Sequence, residues 1–122
     1  MINVYQINFT NQQVDEINDP STPDPDYYTA YLKTIFHADV YEAWNMGLYK
    51  HVADVSTDDL ETAFAVMNRW NHVDEKLVRR HRPLHSMSVG DIVINKSLEP
   101  DRYAAYAVAP VGFSPLELQE VA

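Results

Sequence analysis

Residues 48–61, LYKHVADVSTDDLE, contain the clearest change of local structure in the chain. Tyr49, Val52 and Val55 stand among polar residues, which predicts a short β-strand. The hydroxyl and carboxylate groups of 56–61 then favour the start of a helix, because such groups accept hydrogen bonds from its first backbone N–H groups. A strand followed at once by a helix is therefore predicted. The expected buried face of this helix consists of Leu60, Ala63, Phe64, Met67 and Trp70.

Upstream of this stretch, the mixed apolar and polar residues of 2–9 predict a first strand. Residues 11–26 carry three prolines with Asp, Asn, Ser and Thr between them, which predicts a Pro-rich loop. Asp24 and Pro25 suit the N-cap and the first turn of a helix.

This predicted helix has one apolar stripe, in which residues recur at spacings of three and four as far as Gly47. A break near 37–39 would divide it into two helices. The stripe consists of Leu32, Ile35, Phe36, Val40, Ala43 and Trp44.

Downstream, residues 72–85 are polar and basic, and we expect a loop with a short helical turn. A tight turn over 86–91 then leads into a strand at 92–94, since Gly90 tolerates backbone angles that other residues avoid. A return strand over 103–109 completes a predicted hairpin.

The predicted order is β-α-β-α-β-β within a single domain, residues 1–122. It indicates an α+β fold of two layers, a small mixed or antiparallel sheet with two helices on one face. A doubly wound α/β sheet is the alternative, but it needs more βαβ units than this length allows.

The composition excludes several classes of protein. The chain has 122 residues, 46% of them hydrophobic, and a formal net charge of −9, which is typical of a globular domain and disfavours a nonspecific nucleic-acid coat. There is no cysteine, so disulfides and thiol nucleophiles are excluded. We expect a cytoplasmic protein without membrane association, because no apolar run approaches about 18 residues and the start has no basic or apolar leader.

No catalytic, cofactor or metal site is predicted from the motifs. The glycines are isolated, which excludes a phosphate-binding loop of the common kinds. The spacing of His72, His81 and His85 matches no helical metal motif, and a zinc site would need ligands from distant segments. Ser86 and Ser88 lie near His85 without a nucleophile-elbow pattern, which favours turn residues.

Charge is distributed unevenly along the chain. Residues 1–68 hold 2 basic and 11 acidic groups, whereas 69–102 hold 7 basic and 5 acidic groups. The sequence thus predicts an acidic front half and a basic patch that is available for interaction. The patch consists of Arg79, Arg80, His81 and Arg82.

Residues 82–93, RPLHSMSVGDIV, with Tyr106 and Gly112-Phe113, and upstream YKHVADV, DLE and FAVMN, resemble the YodL-like family over about 48–116. Members of this family are small proteins of phages and other mobile elements with no established activity. The resemblance implies a structural role for six signature positions, in which the serines and the aspartate close the turn and the phenylalanine covers the hairpin. These positions are Ser86, Ser88, Gly90, Asp91, Gly112 and Phe113.

We therefore expect a non-enzymatic accessory protein that binds a host or viral protein, with self-association also open. The alternative is an acidic nucleic-acid mimic or anti-defence inhibitor, suggested by the acidic front half. Two further hypotheses are weaker. One is a hydrolase or lyase that uses His85 and Asp91. The other is a nucleic-acid binder that uses Arg69, Trp70, Lys76, Arg79, Arg80 and Arg82.

Overall fold

The computed structural model describes residues 1–68, 75–99 and 102–118, which form a six-stranded sheet with helices packed against it. The strand order is β3-β2-β1-β4-β5-β6 with every neighbouring pair antiparallel, which confirms an α+β fold with an antiparallel sheet. In chain order the elements are β1 (Ile2–Ile7), α1 (Asn11–Ile17), α2 (Asp26–His37), α3 (Tyr41–Asn45), β2 (Tyr49–Val55), α4 (Leu60–Asn68), a 3₁₀ turn (Glu75–Leu77), β3 (Val78–Arg80), β4 (Ile92–Glu99), β5 (Arg102–Val108) and β6 (Phe113–Leu116).

Apolar side chains are buried on both faces of the sheet. Successive strand residues point to opposite faces, so Val93 lies on one face and Ile92 and Ile94 on the other. The α4-side core contains Ile2, Val4, Val55, Val93 and Val108 with Ala63 and Val66 of α4. The α2-side core contains Ile7, Tyr49, Ile92, Ile94 and Ala107 with Ala30 of α2 and Ala43 of α3. Helices therefore pack on both faces, whereas the sequence predicted them on one.

The predicted first helix is divided in two. α2 ends at His37 because Ala38 adopts a left-handed conformation with φ 52°, and α3 begins at Tyr41. The two-helix alternative is thus confirmed. The predicted apolar stripe is partly wrong, since α2 buries Ala30 and Thr34 while Phe36 is 69% exposed.

The predicted Pro-rich loop over 11–26 begins with a helix, so the loop prediction is wrong for 11–17. α1 starts with a capping box, in which the Thr10 hydroxyl accepts from the Gln13 N–H at 3.1 Å and the Gln13 side chain accepts from the Thr10 N–H at 2.8 Å. No residue of α1 is buried. This helix therefore could not be predicted from an apolar stripe.

The predicted basic loop contains a strand. The 3₁₀ turn matches the expected helical turn, but Val78–Arg80 pairs with β2, where Val55 lies opposite Val78 and Ala53 opposite Arg80. Residues 69–74 lie outside the described part of the chain, and with them the predicted positions of Arg69, Trp70 and His72.

The predicted hairpin is confirmed, with Ile92 opposite Ala107 and Val93 opposite Tyr106. Beyond it, Phe113–Leu116 adds β6, an edge strand that the sequence analysis did not predict. Among the described helices, none combines the length and the apolar character needed to cross a bilayer.

Candidate functional site

The turn that leads into β4 is closed by the carboxylate of Asp91, which is only 5% exposed. Its Oδ2 accepts hydrogen bonds from the backbone N–H of Ser88 at 3.0 Å and from the side-chain amide of Gln6 at 2.9 Å. The backbone N–H of Asp91 donates to the Ser88 carbonyl at 3.0 Å. Ser88 thus contributes to the turn through its backbone, and Ser86 and Ser88 are exposed.

The amide of Gln6, which has no exposed surface, also holds the segment between β3 and β4. It donates to the His85 carbonyl at 2.9 Å and accepts from the His85 N–H at 3.1 Å. Nearby, the Asn8 side chain donates to the Pro83 carbonyl at 2.8 Å. Two polar side chains at and just after the end of β1, Gln6 and Asn8, therefore hold parts of the segment 83–91.

Gly90 is packed against the backbone of α2. Its φ is +91°, and a Cβ atom built there would lie 2.7 Å from the carbonyl oxygen of Thr34. The buried hydroxyl of Tyr49 donates to the Gly90 carbonyl. Glycine is required here both by the backbone angle and by the close approach.

The buried carboxylate of Asp91 has a raised pKa, but the space beside it is too small for most ligands. Burial raises the pKa of Asp91 to about 6, although the hydrogen bond from Ser88 and the charge of His85 act in the opposite direction. The adjacent cavity, lined by Thr34, His85 and Asp91, measures about 30 Å³, which admits water but is far below the roughly 300 Å³ of a small-molecule pocket. The described hydrogen bond of the His85 ring goes to the Ser86 carbonyl at 2.7 Å. This geometry is that of a structural turn.

His51, Asp54 and His81 form a polar cluster beside the bulged part of β2. Asp54 Oδ1 lies 2.6 Å from His51 Nε2, and Oδ2 lies 2.7 Å from His81 Nε2. Burial would raise the pKa of Asp54, but the hydrogen bonds and charges of the two imidazoles lower it below its ordinary value. Within the described part of the chain, His51, Asp54 and His81 are the group of side chains that could hold a metal ion.

The predicted basic patch is divided between two environments. Arg79 and Arg80 are exposed on the edge strand β3. His81 lies beside Asp54, and Arg82 donates to the His51 carbonyl at 2.7 Å. The four residues therefore do not form one uniform cationic surface.

An open groove lies on the α4 side of the sheet, between α4 and strands β4 to β6. One part has a volume of about 350 Å³ and the other about 480 Å³, and both are lined by Glu61 and Phe113. Hereafter this surface is the α4 groove. Its other lining residues are Asp58, Asp59, Leu60, Phe64, Asn95, Ala104, Tyr106, Val108, Ala109, Pro110 and Gly112.

Phe113 reaches the groove through a tight turn at the end of β5. Gly112 has φ +71°, and its carbonyl accepts from the Ala109 N–H at 3.1 Å. The ring of Phe113 meets that of Phe64 edge-on, with centroids 6.4 Å apart. Phe64, predicted to be buried, is 38% exposed and contributes apolar surface to the groove.

The six signature positions lie in two turns, one before β4 and one after β5. Val108, at the end of β5, contacts both turns. Val108 accepts from the Gly90 N–H at 2.9 Å and donates to the Asp91 carbonyl at 2.8 Å. Val108 also lies opposite Phe113 in the β5–β6 pair. The signature residues are thus close in the fold, but only Gly112 and Phe113 line the α4 groove.

Comparison with known proteins found no matching family model, no similar curated protein and no similar solved structure. The resemblance to the YodL-like family therefore stays a prediction.

Proposed function

We propose that the chain is a non-enzymatic binding protein whose α4 groove accepts an extended, basic segment of a partner protein. This is the kind of activity expected for a small accessory protein of a phage or another mobile element. The observation that carries the proposal is the α4 groove itself, where exposed aromatic surface lies directly beside carboxylates.

The floor of the groove offers apolar contact area. Tyr106 and Phe113 are partly buried against the α4-side core, and Phe64 is 38% exposed. Aromatic rings supply large contact area at a small cost in side-chain entropy, which is why they are frequent in protein interfaces. The floor therefore suits aliphatic or aromatic side chains of a bound segment.

The rim of the groove is acidic. Asp58, Asp59 and Glu61 lie at the start of α4, and no Lys or Arg is found among the described residues that line the groove. Asp58 is ion-paired with the amino group of Met1 at 2.5 Å, so the negative charge of the rim comes from Asp59 and Glu61. Asp59 also caps α4 by accepting from the Thr62 N–H at 3.3 Å. Glu61 extends the acidic rim along α4.

A basic residue would match both features at once. The aliphatic stem of Lys or Arg packs on apolar surface while its charged end stays near water and a carboxylate. Arg also stacks on aromatic faces. Charge complementarity of this kind raises the association rate and selects the partner. A segment that alternates basic and apolar side chains is therefore the occupant that the groove fits best.

The test is a selection of short random peptides on immobilised protein, carried out in parallel on three forms. Glu61→Lys reverses a charge in the groove, and Asp15→Lys makes the same charge change on the exposed surface of α1. We expect peptides rich in Lys or Arg with apolar neighbours to be enriched on the wild type and on Asp15→Lys but lost on Glu61→Lys. Equal enrichment on all three forms, or none on the wild type, would contradict the proposal.

A further inference from the structure

The cluster of His51, Asp54 and His81 depends on an irregularity in β2. In a regular strand, residues three positions apart point to opposite faces. Here the register shifts, since Val4 lies opposite Ala53 but Tyr5 lies opposite His51, which leaves Val52 as an extra residue. This β-bulge turns His51 and Asp54 to the same face of the sheet. Bulges that redirect side chains in this way are frequent beside functional sites.

The same bulge positions the third member of the cluster. The carbonyl of Val52 accepts from the N–H of His81 at 2.8 Å, directly after β3 ends. His81 therefore enters the cluster through a backbone hydrogen bond to the bulged residue. Its ring lies against that of His51, with centroids 4.6 Å apart.

The ligand atoms of the three residues converge. The two imidazole nitrogens and the carboxylate all lie within 4.8 Å of one another, and each Asp54 oxygen contacts one Nε2. In a tetrahedral zinc site, metal–ligand distances of about 2.1 Å place the donor atoms roughly 3.4 Å apart. Small rotations of the imidazoles would open that space.

The surroundings of the cluster restrict its side chains without closing it. The Tyr5 ring stacks on His51 with centroids 5.1 Å apart, and Arg82 bonds the His51 carbonyl. The Asp54 side chain is 14% exposed, whereas those of His51 and His81 are 32% and 29% exposed. A bound ion would thus be held by side chains whose movement the neighbouring residues restrict, and it would still be reached from solvent.

We propose that His51, Asp54 and His81 form a binding site for one divalent transition-metal ion of the zinc class. Two imidazoles and one carboxylate are a donor set that such ions prefer. Three protein ligands leave a fourth position for water or for a group of a partner molecule. The site lies on the α2 side of the sheet and is independent of the α4 groove.

The first experiment is calorimetric titration of the full chain with ZnCl₂ in a buffer that does not bind metals. We expect one ion per chain, and at least about a tenfold loss of affinity in His81→Gln and in Asp54→Asn. His37→Gln is the matched control, because His37 is an exposed histidine at the end of α2, and it should bind as the wild type does. No saturable binding by the wild type, unchanged binding by His81→Gln, or equal loss in His37→Gln would overturn the proposal.

A second measurement uses the wild type alone, so it does not depend on whether the variants fold. In the wild type, NMR of the imidazole nitrogens should show Zn²⁺ shifting the Nε2 signals of His51 and His81 and leaving His37 in place. Signals of His51 and His81 that do not move at saturating Zn²⁺ would show that the cluster is a hydrogen-bonded network only.

Discussion

The side chain of Gln6, on β1, donates a hydrogen bond at 2.9 Å to the carboxylate of Asp91, which follows 85 positions later. Both residues are buried. This contact joins the start of the chain to the turn before β4, and it stabilises the charged form of a carboxylate that burial destabilises. The turn, the segment that precedes it and the hairpin behind it therefore depend on one amide.

Replacement of Gln6 by Leu should destabilise the fold strongly. The change leaves the backbone groups of His85 without their side-chain partner and removes a donor from Asp91, at an expected cost of about 2–4 kcal/mol. Asn8→Ala is the control, because its bond to the Pro83 carbonyl is exposed and should be worth less than about 1 kcal/mol. Urea denaturation measures both. A smaller loss in Gln6→Leu than in Asn8→Ala would refute this role.

The buried carboxylate of Asp91 predicts a specific pH dependence of stability. Its pKa is about 6 in the folded protein and 3.8 ordinarily, so between these values the folded state binds more protons than the unfolded state. The contribution of Asp91 to the free energy of unfolding therefore falls as pH rises from about 4 to about 6, by about 3 kcal/mol.

Comparison with Asp91→Asn isolates this contribution from that of the other carboxylates. Denaturation curves at several pH values should show the wild type losing stability relative to Asp91→Asn as pH rises from about 4 to about 6. A difference between the two proteins that does not vary with pH would show that the Asp91 pKa is not raised.

Gly90→Ala should be much more damaging than Gly112→Ala. Both glycines have positive φ, so each substitution costs about 1 kcal/mol in backbone strain. At Gly90 the new methyl group would also meet the Thr34 carbonyl at 2.7 Å, whereas nothing lies within 4 Å at Gly112. We expect a further loss of about 1–3 kcal/mol for Gly90→Ala, measured by thermal unfolding. Equal losses of stability in the two variants would show that Gly90 is not packed closely against α2.

Binding in the α4 groove should depend on salt. Attraction between exposed charges is screened over about 8 Å at physiological ionic strength and over about 3 Å at 1 M salt. The affinity of a selected basic peptide, measured by fluorescence anisotropy, should therefore fall as salt is added, and less so for Glu61→Lys. Affinity that is unchanged by salt would indicate that the aromatic floor alone binds the peptide.

Much of the fold follows from local patterns in the sequence. The strand at β2, the helix start after it and the hairpin of β4 and β5 were predicted because alternation, capping residues and turn residues all indicate the same structure. β3 was missed because its three residues include two exposed arginines, and its strand conformation depends on pairing with β2. α1 was missed because it buries nothing.

The cluster of His51, Asp54 and His81 could not be predicted from the sequence, and the reason is geometric. Alternation along β2 places His51 and Asp54 on opposite faces, and only the register shift at Val52 brings them together. The shift depends on pairing with β1, about which the sequence of β2 carries no local signal. Binding to a host or viral protein, and the alternative of a nucleic-acid mimic, stay predictions.

NMR mapping of the ¹⁵N-labelled protein with the strongest selected basic peptide locates the binding surface residue by residue. We expect amide shifts that are concentrated at Glu61, Phe64, Gly112 and Phe113 around the α4 groove. These shifts should disappear in Glu61→Lys and persist in Asp15→Lys. Shifts concentrated elsewhere, for example on β3, or shifts that survive in Glu61→Lys, would contradict the assignment of binding to the α4 groove.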